Sequence, residues 1–361
     1  MTDSRRRCRC AVLGASGYIG QHFVRLLADH PAFELTTLVG TERTRGQPLA
    51  ELWQLPDAAL PKEADLRLES LGPSEIARRG IDVVFSGLPS GSAGPIETEL
   101  ARRGVNVFTN ASDHRMDADV PLLVPEVNAD HLDVLLRAPR RRRGAIVADP
   151  NCTAAGLVVA LRAVWDLLRP RAVHVTTYQA LSGAGLPGVA SLAITDNVVP
   201  FIAREEEKVV QESQRMLGSV FRGSIRPSSV PFIVQCARVA VRDGHLEAVT
   251  IDAGRRPGLA AIEEAFRTFD PLAGHDLPSA PHPAVILRTE PDRPQPLRDR
   301  WAGSPERARG MAVSVGRIRW EAPFLRFFVL SHNAVRGGAG GSVLNAELAL
   351  ERGHVGPRKA R

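Results

Sequence analysis

A chain of 361 residues exceeds what one ordinary core organises and points to two folded domains, each long enough to bury its own interior. A hydrophobic share of 44% and a charged share of 24% exclude a disordered or low-complexity polypeptide, and no apolar run reaches the roughly 18 residues of a membrane span. The net charge of +6 lies largely in two short arginine runs, 5–7 and 140–143, which lack interleaved aromatics and read as solvated tail and loop, so no nucleic-acid partner is expected.

Four cysteines, Cys8, Cys10, Cys152 and Cys236, without a CxxC pair or a histidine cluster, exclude a disulfide scaffold and a zinc module. No metal is expected, and a reducing compartment, the cytoplasm, is. In chain order, residues 9–13 read as a strand entering Gly14-Ala15-Ser16-Gly17-Tyr18-Ile19-Gly20, after which Phe23, Leu26 and Leu27 recur at helical spacing. Glycines spaced GxxGxxG between strand and helix let backbone approach a pyrophosphate at the helix N-terminus. The turn is therefore read as a dinucleotide site, with a merely structural turn as the alternative. Phe33–Val39 is the second strand, and Thr41-Glu42-Arg43-Thr44-Arg45 at its end offers hydroxyls and guanidiniums to a ribose 2'-phosphate. That favours NADP; the alternative is NAD, with Glu42 on the 2'-hydroxyl.

Val83–Ser86, 105–109 and 145–148 are further strands, with a helix over 95–103, and the alternation predicts a parallel, doubly wound sheet. Asp149-Pro150-Asn151 breaks the chain before a long apolar-periodic helix that begins near Cys152. Unpaired N–H groups in a first helical turn lower a thiol pKa, which suits a nucleophile; a small buried hydrophobe is the plainer reading. Residues 173–178, 231–241, 245–251, 311–320 and 324–330 read as longer strands of a mostly antiparallel sheet. Asp243-Gly244 reads as a hairpin turn that sets Arg238 and His245 on adjoining strands. Gln179 stands at a strand end before a glycine-containing turn, and Glu205-Glu206-Glu207-Lys208 opens a helix. Residues 288–309 read as an ordered loop, 336–350 as a closing helix, and 353 onward as a basic tail.

Together these blocks resemble aspartate-semialdehyde dehydrogenase, closest to the branch found in archaea and fungi. GASGYIGQ, TNASDHRMDADVPLLVPEVN, DPNCTAAGL, TTYQALSGAG, DNVVPFIAREEEK, RVAVRDGH, DRPQP and LSHNAVRGGAGGSVLNAEL occur in the expected order over most of the chain. The resemblance implies an α/β fold with an N-terminal doubly wound, Rossmann-like NADP-binding domain over 1–151, completed by a C-terminal helix within 331–361. Residues 152–330 would form a second, α+β domain for catalysis and dimerisation, in a homodimer or homotetramer.

The resemblance also implies roles. Cys152 is the nucleophile, His245 the acid/base and Gln179 the residue that orients substrate, while Arg238 holds the α-carboxylate. Glu206 meets the substrate amine, with Glu205 close in register. Arg115 and Lys208 bind phosphate, and Asn333 approaches the nicotinamide. Gly14, Ser16, Gly17, Tyr18, Ile19, Gly20, Thr41, Arg43 and Thr44 bind the remainder of NADP. The implied reaction takes an acyl phosphate, L-aspartyl 4-phosphate, through a Cys152 thioester to an aldehyde, releasing inorganic phosphate. VRGGAGG in place of VRGAAG and RVAV in place of RVPV are departures near the site. The rivals are a malonyl-CoA reductase-like or specialised acyl reductase on the same scaffold, and an inactive NADP-binding sensor.

Overall fold

The computed structural model describes residues 7–57, 59–137 and 144–357 and contains two six-stranded sheets. The arginine run 140–143, most of the run 5–7 and the end of the basic tail lie outside the described residues. The first sheet is built from β1 (Cys8–Leu13), β2 (Phe33–Val39), β3 (Leu68–Glu69), β4 (Val83–Ser86), β5 (Asn106–Thr109) and β6 (Ile146–Ala148), in the order β3-β2-β1-β4-β5-β6. Every pair is parallel. Strands covered on both faces must be apolar throughout, and the VVFS of β4 and the NVFT of β5 are buried at every position. The order reverses between β1 and β4, which opens a crevice at their carboxyl ends.

Helices α1 (Tyr18–Leu27), α2 (Pro73–Arg78), α3 (Ala93–Arg102) and the short α4 (Pro125–Asn128) accompany this sheet. Helix α3 starts two residues before the expected 95. The Asp113 carboxylate accepts the N–H groups of Gly91 and Gly94 at 2.9 and 3.0 Å, a distant cap that satisfies the opening turn.

After α5 (Cys152–Leu168) comes the second sheet, formed by β7 (Pro170–Gln179), β10 (Phe232–Arg238), β11 (His245–Ala253), β12 (Val285–Arg288), β13 (Val313–Glu321) and β14 (Phe324–Ser331). A separate hairpin, β8 (Ser219–Phe221) and β9 (Ser224–Arg226), follows α7 (Glu205–Met216). Helices α6 (Ser191–Ile194), α8 (Leu259–Arg267), α9 (Pro296–Asp299) and α10 (Gly340–Glu351) complete the chain. The sheet order is β10-β7-β11-β14-β13-β12, antiparallel at its centre and parallel in its two outermost pairs. Strand β11 alternates strictly between buried and half-buried residues, because α5 and α8 cover one face of the sheet only. Tyr178, Ile233 and Phe324 remain exposed.

Two expectations are corrected. Asp243-Gly244 is not a hairpin turn, because β7 lies between β10 and β11. After Arg238 the chain passes over the end of β7: Val239 N–H donates to Gln179 O at 3.0 Å, and Leu181 and Ser182 N–H donate to Val241 and Arg242 O at 2.7 and 3.1 Å. A local Asp-Gly signal marks where a chain turns, not which strand it turns toward. Arg238, Gln179 and His245 therefore stand at one end of three neighbouring strands, β10, β7 and β11.

The closing helix begins at Gly340, four residues later than expected. Residues Val335–Ala339 form a wider turn in which Gly337 and Gly338 leave helical dihedrals. That turn packs on α5, while α10 lies against α1 and β5 and fills the first core with Val343, Leu344 and Leu348.

Candidate active site

Cys152 is the first residue of α5 and follows Pro150-Asn151, where Asn151 acts as the N-cap. The Asn151 side-chain oxygen accepts the N–H groups of Thr153 and Ala154 at 3.0 and 3.2 Å. His245, at the start of β11, reaches the same point: its Nε2 lies 3.2 Å from Cys152 Sγ, and its Nδ1 accepts the Ala180 N–H at 3.1 Å. Burial, with Arg238 and His332 adding to it, holds the His245 imidazole down to about 3, so the ring is neutral at physiological pH.

The expected lowering of the Cys152 thiol is corrected. Burial pushes it up to about 12 and the Glu205 carboxylate adds to this, against Arg115 and Arg238, which pull it down. The physical reason is burial: desolvation of the thiolate outweighs the backbone N–H of Cys152 itself, which favours the anion, while the N–H groups of the next two residues are taken by Asn151.

Helix α7 supplies one stripe of the site. Glu205, Lys208 and Glu212 recur at i, i+3 and i+7 and so share a face. Glu205 accepts from Asn151 Nδ2 at 2.9 Å and Thr153 Oγ1 at 3.4 Å, and Glu212 accepts the Asn151 N–H at 2.5 Å. Glu206 is turned away; it is exposed, and its carboxylate accepts the Cys236 N–H of β10 at 2.9 Å. Of the two register choices, Glu205 is therefore the carboxylate beside Cys152.

Arg115 is buried, with Nη1 on Glu212 at 3.0 Å and Nη2 on Asn110 O at 2.7 Å, while Nε is buried without a hydrogen-bond partner among the described residues. Arg238 donates from Nη1 to Ala180 O at 2.7 Å, and Gln179 is buried beside Thr177, to whose hydroxyl it donates at 3.3 Å. Cys152, His245, Gln179, Arg238, Arg115 and Glu205 thus converge, with half-buried Lys208 on the same stripe. The sequence reading missed Glu212 and Asn151. A signal for each was present, in the helical spacing of Glu212 from Glu205 and in the N-cap position of Asn151.

At the crevice, Gly14 has φ +67°, and a side chain there would meet Gly87 O at 2.8 Å. A Cβ on Gly20 would lie 2.1 Å from Gly14 O. The backbone cradle that a pyrophosphate needs is therefore built from positions that exclude side chains. Gly17 caps α1, Ser16 O accepts Gln21 Nε2 at 2.9 Å, and Ile19 is half-buried. Tyr18 donates its hydroxyl to Asp243.

Beyond β2, the Thr44 hydroxyl receives Thr41 N–H at 3.1 Å and donates to Thr41 O at 3.2 Å, so it holds the turn that carries exposed Arg43. Arg45 lies 3.7 Å from Glu42. Both ends of the Asn333 amide are engaged: Oδ1 accepts Gly244 N–H at 2.9 Å and Nδ2 donates to Ser182 Oγ at 2.8 Å. Asn333 thereby links the turn before α10 to the residue preceding His245. Arg336, in that turn, makes a fully buried two-pronged pair with Glu126 at 2.6 and 2.9 Å. Loss of either partner would strand a buried charge, at about 3–5 kcal/mol.

Residues 9–135 match the family model described as semialdehyde dehydrogenase, NAD binding domain, and residues 161–336 match semialdehyde dehydrogenase, dimerisation domain. An aspartate-semialdehyde dehydrogenase from Archaeoglobus fulgidus is 44% identical over 355 residues, covering 96% of this chain and 98% of that protein. A malonyl CoA reductase (NADP) from Metallosphaera sedula is 39% identical over 364 residues, covering 98% of this chain and all of that protein. A crystal structure of aspartate semialdehyde dehydrogenase with NADP from Candida albicans superposes with a TM-score of 0.83 at 34% identity, over 97% of this chain and 100% of that one.

Proposed function

This chain belongs to the aspartate-semialdehyde dehydrogenase family, and we propose that Cys152 carries its chemistry. The enzyme is an NADP-dependent oxidoreductase that converts L-aspartyl 4-phosphate to L-aspartate 4-semialdehyde and phosphate. The observation that carries the residue assignment is the 3.2 Å contact between Cys152 Sγ and His245 Nε2, made beside Gln179 and Arg238 at one end of a sheet.

The Cys152 sulfur attacks the acyl carbon and phosphate departs, leaving a thioester. Bound NADPH supplies the hydride that takes the thioester to the aldehyde, and the backbone cradle of Gly14 and Gly20 fits its pyrophosphate. Arg238, with one prong on Ala180 O, keeps its other donors for the substrate α-carboxylate. Glu205 is the carboxylate suited to the substrate amine, Gln179 orients the acyl group, and Arg115 Nε and the Lys208 ammonium meet the phosphate. His245 handles the proton that the reaction moves. Arg43 and Thr41 read the 2'-phosphate of NADP.

We place the catalytic unit at 152–330, with α10 (Gly340–Glu351), within 331–361, returning to the first sheet. The exposed apolar residues Tyr178 and Ile233 on the second sheet support a homo-oligomer formed through that face. Among the described residues no helix is long and apolar enough to cross a membrane. Four free cysteines support a cytoplasmic site of action.

The full-length similarity to a malonyl CoA reductase keeps acyl-CoA reduction as the second reading. NADPH formation from aspartate semialdehyde, followed with phosphate, with arsenate and with coenzyme A, separates the two. Dependence on phosphate or arsenate is expected; dependence on coenzyme A would transfer the function to thioester reduction.

A further inference from the structure

Arg115 reaches the site from the loop that follows β5, and the two residues before it face a different element, α3. Asp113 accepts the Gly91 and Gly94 N–H groups at 2.9 and 3.0 Å. A Cβ on Gly94 would lie 3.1 Å from Asp113 Oδ1, so the loop approaches the helix where the helix has no side chain. One turn along the same face of α3, Glu97 is fully buried, and Thr109 Oγ1 donates to its Oε1 at 2.6 Å. Glu97 Oε2 is buried with no hydrogen bond among the described residues, and it faces His114 Nε2 at 3.6 Å, an ion-pair distance. On the other side of the ring, His114 Nδ1 lies 2.7 Å from Asp117 Oδ2. The buried imidazole is thus held between two carboxyl groups.

A buried carboxyl and a buried imidazole are costly to keep, and neither Glu97 nor His114 has a part in the thioester chemistry. What they hold in place is the next residue. Glu212 of α7 and the Asn110 carbonyl fix the far end of the Arg115 side chain, at 3.0 and 2.7 Å, while the loop fixes its Cα. We infer that His114, clamped between Glu97 and Asp117, is a positioning residue for Arg115, fixing the backbone from which the guanidinium is presented to phosphate; this role rests on the proposed meeting of Arg115 with phosphate. A guanidinium reads a phosphate through N–H groups of fixed direction, so a small displacement of its base weakens the contact. Removal of the imidazole leaves Glu97 Oε2 facing a void and releases Asp117, so the loop loses its hold on α3 at the residue adjoining Arg115.

Oxidation of aspartate semialdehyde by NADP at varied inorganic phosphate tests this. His114→Ala should raise the KM for phosphate by about tenfold, with the KM for NADP and for the aldehyde within about twofold of the parent. His114→Gln keeps a hydrogen-bonding amide in the same place, so it remains informative if the alanine variant does not fold, and it should raise the KM for phosphate by about threefold. A double-mutant cycle with Arg115→Ala, read by calorimetry as the phosphate Kd of the NADP complex, needs no turnover. In the Arg115→Ala background His114→Ala should weaken phosphate binding by no more than about twofold, because a residue that acts through Arg115 has nothing left to position. An unchanged KM for phosphate in both His114 variants, an equal rise in all three KM values, or full additivity with Arg115→Ala would overturn the positioning role alone. A parent enzyme that needs no phosphate, or an Arg115→Ala variant that binds it as the parent does, would overturn that role together with the phosphate reading beneath it.

Discussion

The Tyr18 hydroxyl, in the glycine turn of the first domain, donates to the carboxylate of Asp243, two residues before His245. Against burial, which raises it, hydrogen bonds from Tyr18 and Ser182 hold Asp243 below the usual carboxylate range. The bond ties the glycine turn of the first domain to the strap that crosses β7, two residues from His245. Tyr18→Phe leaves Asp243 with Ser182 and with Arg242 Nε at 3.1 Å and should cost about 1–2 kcal/mol of stability. The KM for NADPH should rise and kcat fall together. Lower thermal stability with unchanged kinetics would reduce the tie to a structural one.

Glu205 and Glu206 are neighbours in sequence with opposite expected effects. The Glu205 carboxylate raises the Cys152 thiol, so Glu205→Gln should lower the thiol pKa and speed alkylation by iodoacetamide at a given pH. It should also cut kcat/KM by about tenfold or more through loss of the charge next to the nucleophile. Glu206→Gln keeps an acceptor for the Cys236 N–H and should change neither measurement by more than about twofold. The reverse order of effects would restore Glu206 as the substrate contact.

What could be read in advance was what the chain writes locally. The glycine turn, the break before Cys152 and the first turn of α7 are stretches of a few residues whose types dictate their own conformation. The failures share a different cause. Tyr18 and Asp243 are 225 residues apart, and the Asp113 cap on α3 comes from a loop beyond β5, so neither leaves a mark in a local window. At Asp243-Gly244 the local signal was present and correctly marked a change of direction, but strand order depends on which edges the sheet leaves free. The thiol pKa was misjudged for a related reason: the position of Cys152 in a first turn is local, but its burial and the nearby Glu205 carboxylate, which raise the thiol, come from parts of the chain distant in sequence.

Arg43 is exposed on the turn that follows β2, where a ribose 2'-phosphate would sit. Arg43→Ala should raise the KM for NADP well beyond that for NAD, because a 2'-hydroxyl gains little from a guanidinium. Steady-state kinetics with both cofactors decides it, and an unchanged ratio would move phosphate recognition elsewhere.

Cys152→Ala should abolish turnover while NADP affinity, measured by fluorescence or calorimetry, stays close to that of the parent. Mass spectrometry after exposure to an acyl donor without cofactor should find the adduct on the peptide bearing Cys152. Cys236 is buried and its thiol is pushed up to about 12 by burial, and among the described residues it has no hydrogen bond to an imidazole like that of Cys152 to His245. An adduct confined to Cys236 would remove Cys152 as the nucleophile.

Acid should unfold this protein through its buried histidines. Burial holds His245 and His332 down to about 3, and holds His22 well below its ordinary value, with His332 and Arg25 adding to the effect on His22. Neither ring nitrogen of His22 has a hydrogen-bond partner in the described residues; the ring packs edge-on against Tyr18 at 4.9 Å and His332 at 5.8 Å between centroids. In the unfolded chain each histidine titrates near about 6.5. Between that value and the folded one, the unfolded state binds a proton that the folded state refuses, so stability is full above about pH 6.5 and declines as pH falls toward the folded pKa. Each histidine contributes up to about 1.4 kcal/mol per pH unit, and this is opposed by the Glu97, Asp149 and Glu247 carboxyls, which burial raises and which hold their protons more tightly in the folded state. Urea denaturation across pH should show this decline beginning before most carboxylates titrate. His22→Phe keeps a ring among rings and removes one titration, so it should reduce the slope by up to about 1.4 kcal/mol per pH unit and shift acid unfolding to lower pH. An unchanged slope would mean that His22 takes up no extra proton on unfolding, and the acid limit would then belong to the other histidines that burial lowers, His131, His245 and His332.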